Sequence, residues 1–185
     1  GLALINGTQF MAAHAVHALL RIQNLLKVAD LTAAMTLEAM RGSATPFDER
    51  IHAARQHPGQ QETADNVRRL LVDSQILPSH LNCGKVQDPY SLRCVPQVHG
   101  AVRDAVRHAA TTVETEINAV TDNPLVFPNG DVVSGGNFHG EPLAFALDYL
   151  AIATAELASI SERRLYLLLG GDTMGEKKLP KLLMS

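Results

Sequence analysis

Tryptophan is absent from the 185 residues, and aromatic residues make up only 4%. A core must therefore be built mainly from Ala, Leu, Val and Ile. Cysteine is nearly absent as well. Two thiols, Cys83 and Cys94, cannot staple a chain of this size, which points to a reducing, cytoplasmic setting. No run of like charge occurs and the formal net charge is −3, which argues against a nucleic-acid or anionic-membrane surface. The apolar opening lacks the basic segment of a secretory signal. What is present is 46% hydrophobic against 19% charged residues, outside the profile of disorder. The length suits one domain that buries roughly 70% of its unfolded surface.

Thr8 to Arg41 runs without Gly or Pro and is apolar on every side, which predicts a long helix buried by neighbours. Gly42 supplies its stop. Pro46 to Gln56 predicts a short helix, closed by a turn at His57-Pro58-Gly59. Gln61 to Leu77 follows as an amphipathic helix with Val67, Leu70, Leu71 and Leu77 on its buried face, ended by Pro78. Pro78 to Pro96 has no period and predicts a long functional loop. Val102, Val106, Ala109, Val113, Ile117 and Val120 then form one helical stripe, ended by Asn123-Pro124. Residues 125–127 and 131–133 flank Pro128-Asn129-Gly130 and predict a small β-hairpin with an Asn-Gly turn. Ser134 to Asn137 is a bend before a last helix from Glu141 to about Leu169. Leu143 to Ile160 has nearly membrane-spanning length, but Asp148 and Glu156 interrupt it, so it reads as a buried central helix. The expected fold is all-α: the long central helices of a bundle, with a functional loop and a small β-hairpin.

Candidate chemistry concentrates in the loop, which carries Lys85, Gln87, Asp88, Tyr90 and Arg93 beside the two cysteines. Arg93 can grip a carboxylate through its planar fork, and Tyr90 can act as acid, base or hydrogen-bond donor. Set against these roles, a loop Arg is more often an ion pair and a Tyr more often packing. Three further polar clusters lie at residues 6–9, at Thr121-Asp122-Asn123, and at Gly135 to His139. His80, Cys83, Cys94 and His99 could form a zinc tetrahedron, but the spacing is loose and Pro96 intervenes, so no metal is expected.

The clusters arrive in an order that resembles the aromatic amino-acid ammonia-lyases. Gly1 to Gln9 is similar to the segment following that family's prosthetic-group loop, and Val86 to Cys94 is similar to its substrate loop. Thr121 to Leu125 and Ser134 to His139 match two further signatures. The form of the loop, preceded by Asn82-Cys83-Gly84-Lys85, most resembles the histidine-specific branch; the phenylalanine and tyrosine lyases and the aminomutases share much of it. The resemblance implies elimination of ammonia from L-histidine, or a related aromatic amino acid, to give trans-urocanate in histidine catabolism. It also implies a methylidene-imidazolone electrophile formed from an Ala-Ser-Gly triad, and a cytoplasmic homotetramer.

By the same resemblance, Asn6 hydrogen-bonds the electrophile, Gln87 and Tyr90 line it and support proton handling, and Phe138 packs against the ring system. Arg93 and Asn123 hold the substrate carboxylate. No Ala-Ser-Gly occurs here; the nearest string is Gly42-Ser43-Ala44. Residues 1–185 are therefore expected to be a single helical segment from the central part of such a chain, with upstream and downstream parts missing and no activity alone. A non-catalytic helical oligomerisation module is the reading of a different class.

Overall fold

The computed structural model describes residues 4–81 and 83–170. Six helices and one two-stranded sheet lie among them: α1 (Gln9–Ala39), α2 (Glu49–Arg55), α3 (Pro58–Leu70), α4 (Tyr90–Arg93), α5 (Val95–Ile117), β1 (Leu125–Val126), β2 (Val132–Val133) and α6 (Glu141–Gly170). The all-α expectation holds. The chain divides into two compact units, one of residues up to Asn24 with Ala105–Ile152, the other of Leu25–Asp104 with the residues from Ala153.

In the first unit, Ala12, Ala15, Leu19 and Ile22 of α1 are buried, as are Val106, Ala109 and Val113 of α5 and Leu143, Ala146 and Leu150 of α6. The small residues let the helices approach closely without aromatic filling. The predicted α5 stripe is correct through Val113, but Ile117 and Val120 are exposed. The helix ends at Ile117, before Asn123-Pro124, a cis peptide. In the hairpin Leu125 pairs with Val133 and Val126 with Val132. The Phe127 carbonyl accepts from Gly130 N–H at 2.9 Å, and Gly130 takes φ +89°. That is a three-residue turn with glycine in the left-handed position, rather than the two-residue Asn-Gly type.

In the second unit, the stop of α1 departs from expectation in detail. Arg41, not Gly42, takes the left-handed conformation (φ 50°), with Arg41 N–H bonded to the Glu38 carbonyl and Gly42 N–H to that of Leu37. Gly42 is needed for space: a Cβ there would lie 2.4 Å from Leu37 Cδ1. Asp48 caps α2 by accepting from Arg50 N–H at 2.9 Å.

The third helix is misplaced by the sequence reading at both ends. Pro58 is not part of a closing turn; it opens α3, where its missing N–H costs nothing. The helix stops at Leu70, short of Pro78, which sits inside a separate turn of 3-10 helix at Leu77–His80. Its buried face is Gln60, Thr63, Ala64 and Val67, continued by Leu71, whereas Leu70 is exposed. The supposed loop to Pro96 also contains α4 and the start of α5. Ala33, Leu37, Met40, Phe47, Val67, Leu92, Val95 and Ile160 form the core of this unit.

Helix α6 is long and apolar enough to cross a membrane by length and composition. Leu143, Ala146 and Leu150 in the first unit, and Ala153, Leu157 and Ile160 in the second, step by three and four along it and are buried by protein.

Candidate active-site segments

The loop of the second unit is fastened to the end of α1 by its own polar side chains. Lys85 Nζ donates to the carbonyls of Met40 (2.8 Å) and Arg41 (3.1 Å), which the ending helix leaves without intrahelical partners. A positive charge there also complements the helix dipole. His80 Nε2 lies 2.9 Å from the Gly42 carbonyl oxygen. The Asp88 carboxylate, buried, accepts from Ser43 N–H at 2.6 Å. Of the polar residues noted in this loop, Lys85 and Asp88 thus do structural work.

The remaining three, Gln87, Tyr90 and Arg93, are placed differently. Arg93, on the single turn of α4, donates from Nη1 to Gln87 Oε1 at 2.8 Å, while its Nε is buried with no acceptor among the described residues. A cavity of about 510 Å³ opens beside them, lined by Arg93, Gln87, Lys85, His80 and the 41–46 turn. Tyr90, at the first position of α4, is exposed, and its hydroxyl meets no hydrogen-bond partner among the described residues.

The other three candidates lie in the first unit, where three of the sequence clusters converge. Gly7 (φ +66°) lets the chain touch the Thr121 carbonyl; a Cβ there would lie 1.6 Å from its oxygen. Thr8 N–H and Gln9 Nε2 both donate to Thr121 Oγ1, at 3.4 and 3.3 Å. Two residues on, Asn123 Oδ1 accepts from Gly135 N–H (2.7 Å) and Ser134 Oγ (3.0 Å), and Asn137 Nδ2 donates to the Val120 carbonyl (3.3 Å). Asn6 is exposed beside Gly7, and Phe138 is half-exposed. Gly1 to Ala3 of the first motif and Asn82 lie outside the described residues.

The zinc alternative fails on engagement. His99 is fully buried and bonded through Nδ1 to Asp30, and both ring nitrogens of His80 face backbone carbonyls. Among the described residues no group of three or more His, Cys, Asp or Glu is arranged to hold a metal. Cys83 and Cys94 are free thiols.

His99 belongs instead to a buried polar network that the sequence reading missed. Asp30 Oδ1 accepts from His99 Nδ1 at 2.9 Å, and Oδ2 accepts from Asn66 Nδ2 at 2.9 Å and from Arg103 Nη2. Arg103 also donates to Thr63 and Glu62. Burial alone would raise the Asp30 carboxyl, but the bonds from His99 and Asn66 and the Arg103 charge hold it below the usual carboxylate value. His99 is lowered by burial, with Asp30 pulling the other way.

Sequence comparison decides the family: the model of the aromatic amino acid lyases matches residues 1–185. The chain belongs to that family. It is 54% identical over 165 residues to a histidine ammonia-lyase of Myxococcus xanthus, covering 89% of this chain and 32% of the relative. It is 56% identical over 178 residues to that of Anaeromyxobacter dehalogenans, covering 95% and 35%. Among solved structures, it resembles the histidine ammonia-lyase of Trypanosoma cruzi with TM-score 0.79 and 45% identity, covering 91% of this chain and 31% of that one. A tyrosine aminomutase of Streptomyces globisporus gives TM-score 0.87 at 37% identity, covering 100% and 38%. The chain thus spans about a third of the length of the curated relatives it matches. This lyase chain shares the helical fold of those structures.

Proposed function

We propose that this chain is the central portion of a histidine ammonia-lyase, which eliminates ammonia from L-histidine to give trans-urocanate. The observation that carries the reading is the loop from Gln87 to Arg93, where an arginine fork held by a glutamine borders an open cavity next to an exposed tyrosine. The 45% identity to the solved histidine ammonia-lyase, against 37% to the tyrosine aminomutase, favours histidine over tyrosine as substrate.

The chemical difficulty is a barely acidic β-proton and a poor leaving group. In this family a methylidene-imidazolone supplies the electrophile that overcomes both. Its Ala-Ser-Gly precursor is not in these residues. Asn6 in the first unit and Tyr90 in the second each fit a role toward such a group, because each is exposed and keeps its polar atoms unengaged among the described residues.

Arg93 receives the substrate carboxylate, and Gln87 fixes the guanidinium by occupying Nη1. Asn123 has its carbonyl oxygen taken by Gly135 and Ser134, so its amide nitrogen is the atom left to donate to a carboxylate. Tyr90 holds or passes a proton at its phenol oxygen. Phe138 covers the ring system and excludes water. Rigid positioning of charge and proton donors is where such residues lower the barrier.

The exposed apolar side chains of α1 (Phe10, Leu20, Met35) and α6 (Phe145, Ile152) support self-association as a homotetramer, and the free thiols support a cytoplasmic location. The test offers the full-length enzyme L-histidine, L-phenylalanine and L-tyrosine separately and follows the ultraviolet absorbance of each unsaturated product. Urocanate should form fastest; a higher kcat/KM for either of the others would reject the histidine reading.

A further inference from the structure

We propose that Asp88 is a positioning residue for Arg93, acting through the backbone of the loop; the proposal rests on Arg93 binding a substrate carboxylate. Asp88 lies between the two residues of the Gln87–Arg93 pair in sequence and lines the same cavity, yet its own side chain is bonded to neither of them. Its buried carboxylate accepts from Ser43 N–H at 2.6 Å. Three residues earlier Lys85 binds the Met40 and Arg41 carbonyls, and His80 meets the Gly42 carbonyl. Four consecutive backbone groups, from Met40 to Ser43, are thereby matched by three loop side chains.

This clasp gives the loop one seat. Gln87 is exposed, and among the described residues its side chain is tied by the bond to Arg93. The preceding stretch from Cys83 to Pro89 is irregular backbone that forms no helix or strand of its own. What fixes Gln87 Oε1 opposite Arg93 Nη1 is therefore the neighbouring anchor at Asp88, with Lys85 as the second point. Without Asp88, Gln87 and the mouth of the cavity would drift, and the guanidinium would lose the partner that orients its fork. A misplacement of an ångström is enough to weaken a bidentate grip.

The experiment uses the full-length enzyme and imidazolepropionate, which carries the carboxylate but no amine to eliminate. Binding is measured by calorimetry for wild type, Asp88→Ala, Asp88→Asn and Arg93→Lys, and for the Arg93→Lys/Asp88→Ala pair. Hydrogen exchange is followed across residues 40–43 and 83–93 in each. Asp88→Asn keeps an acceptor for Ser43 N–H and should bind within about threefold of wild type. Asp88→Ala should weaken binding at least fivefold and speed exchange in both segments, yet add less than twofold in the Arg93→Lys background. Unchanged binding in Asp88→Ala, or the same loss with and without Arg93, overturns the proposal. If wild type binds the probe through Arg93 but releases no ammonia from L-histidine, the functional reading fails and the positioning role stands. Binding that Arg93→Lys does not alter overturns both.

Discussion

Gly59 and Gly100 meet with no side chain between them: a Cβ on Gly59 would lie 2.1 Å from the Gly100 carbonyl oxygen. The contact brings α3 against α5 inside the second unit, at the level where Gln60 and Thr63 are buried. Gly100→Ala would place a methyl 2.4 Å from Gln60 N and Cα, backbone atoms that cannot rotate aside. Alanine gains about 1 kcal/mol of helix propensity. Overpacking a core costs about 1–3 kcal/mol, and a clash with backbone on both atoms sits at the upper end, so the balance is a loss of about 1–2 kcal/mol. Thermal unfolding should fall by several degrees; an unchanged or raised midpoint would show that the helices are not in backbone contact.

Acid should weaken the second unit in two stages. Burial holds His99 below its ordinary 6.5, and burial lowers His52 as well. The unfolded chain takes up these protons as pH drops through 6.5 while the fold resists them, so stability declines from there down through the folded values. Asp30, held below its ordinary 3.8, contributes fully above that value and loses its contribution as pH falls through its folded value. His99→Gln should therefore flatten the dependence of the unfolding midpoint between pH 7 and 5, leaving the part due to His52. A slope equal to wild type would remove His99 as a source. Asp30→Ala, which removes the acceptor shared by His99, Asn66 and Arg103 and leaves Arg103 to Glu62 and Thr63, should cost about 3 kcal/mol at pH 7.

What was legible in the sequence follows from the range of the forces involved. Helix α1 was readable because 31 residues free of Gly and Pro leave the backbone one good option, and the hairpin because residues 128–130 supply its turn chemistry. The start of α3 was misread because Pro58-Gly59 serves two purposes that only the fold distinguishes: Pro at a helix start, Gly for contact with a helix 41 positions away. Asp30 and His99 are 69 residues apart, and neither carries a local sign of burial. In the candidate site, the clusters at Thr8, Thr121 and Asn123 were recognisable as motifs, but their mutual bonds needed the fold. That Lys85 and Asp88 fasten the loop was invisible, since a lysine bound to carbonyls and a lysine awaiting substrate look alike in sequence.

Gly7→Ala tests the junction of the first unit. The position has φ +66°, and its Cβ would enter the Thr121 carbonyl at 1.6 Å. Strain and displacement together should cost at least about 2 kcal/mol. In the full-length enzyme the variant should also release Asn6, so activity should fall more than stability alone accounts for. A variant with wild-type melting and wild-type kcat would refute the close approach.

Arg93→Lys retains the charge but not the planar fork that faces Gln87. We expect kcat/KM of the full-length enzyme to fall at least about tenfold, roughly 1.4 kcal/mol of transition-state stabilisation. The loss should appear largely in KM if the carboxylate is held equally in ground and transition states. Near-native kinetics would take Arg93 out of the site.

Residues 1–185 alone should not turn over L-histidine. They retain the proposed carboxylate donors Arg93 and Asn123, the carboxamide of Asn6 and the phenol of Tyr90. They lack an Ala-Ser-Gly string from which the electrophile could form. Neither thiol can take its place, because a thiolate is a nucleophile and the amine needs activation by an electrophile. Lys85, whose Nζ is bound to the Met40 and Arg41 carbonyls, is nucleophilic chemistry of the same kind when free. Orientation without activation leaves the β-proton as hard to remove as in solution, and binding alone does not lower that barrier. Purified chain incubated with L-histidine should show no rise in urocanate absorbance, with a full-length lyase as positive control. Sustained urocanate formation that is abolished by Tyr90→Phe or Asn6→Ala would mean that the chain eliminates ammonia without the electrophile.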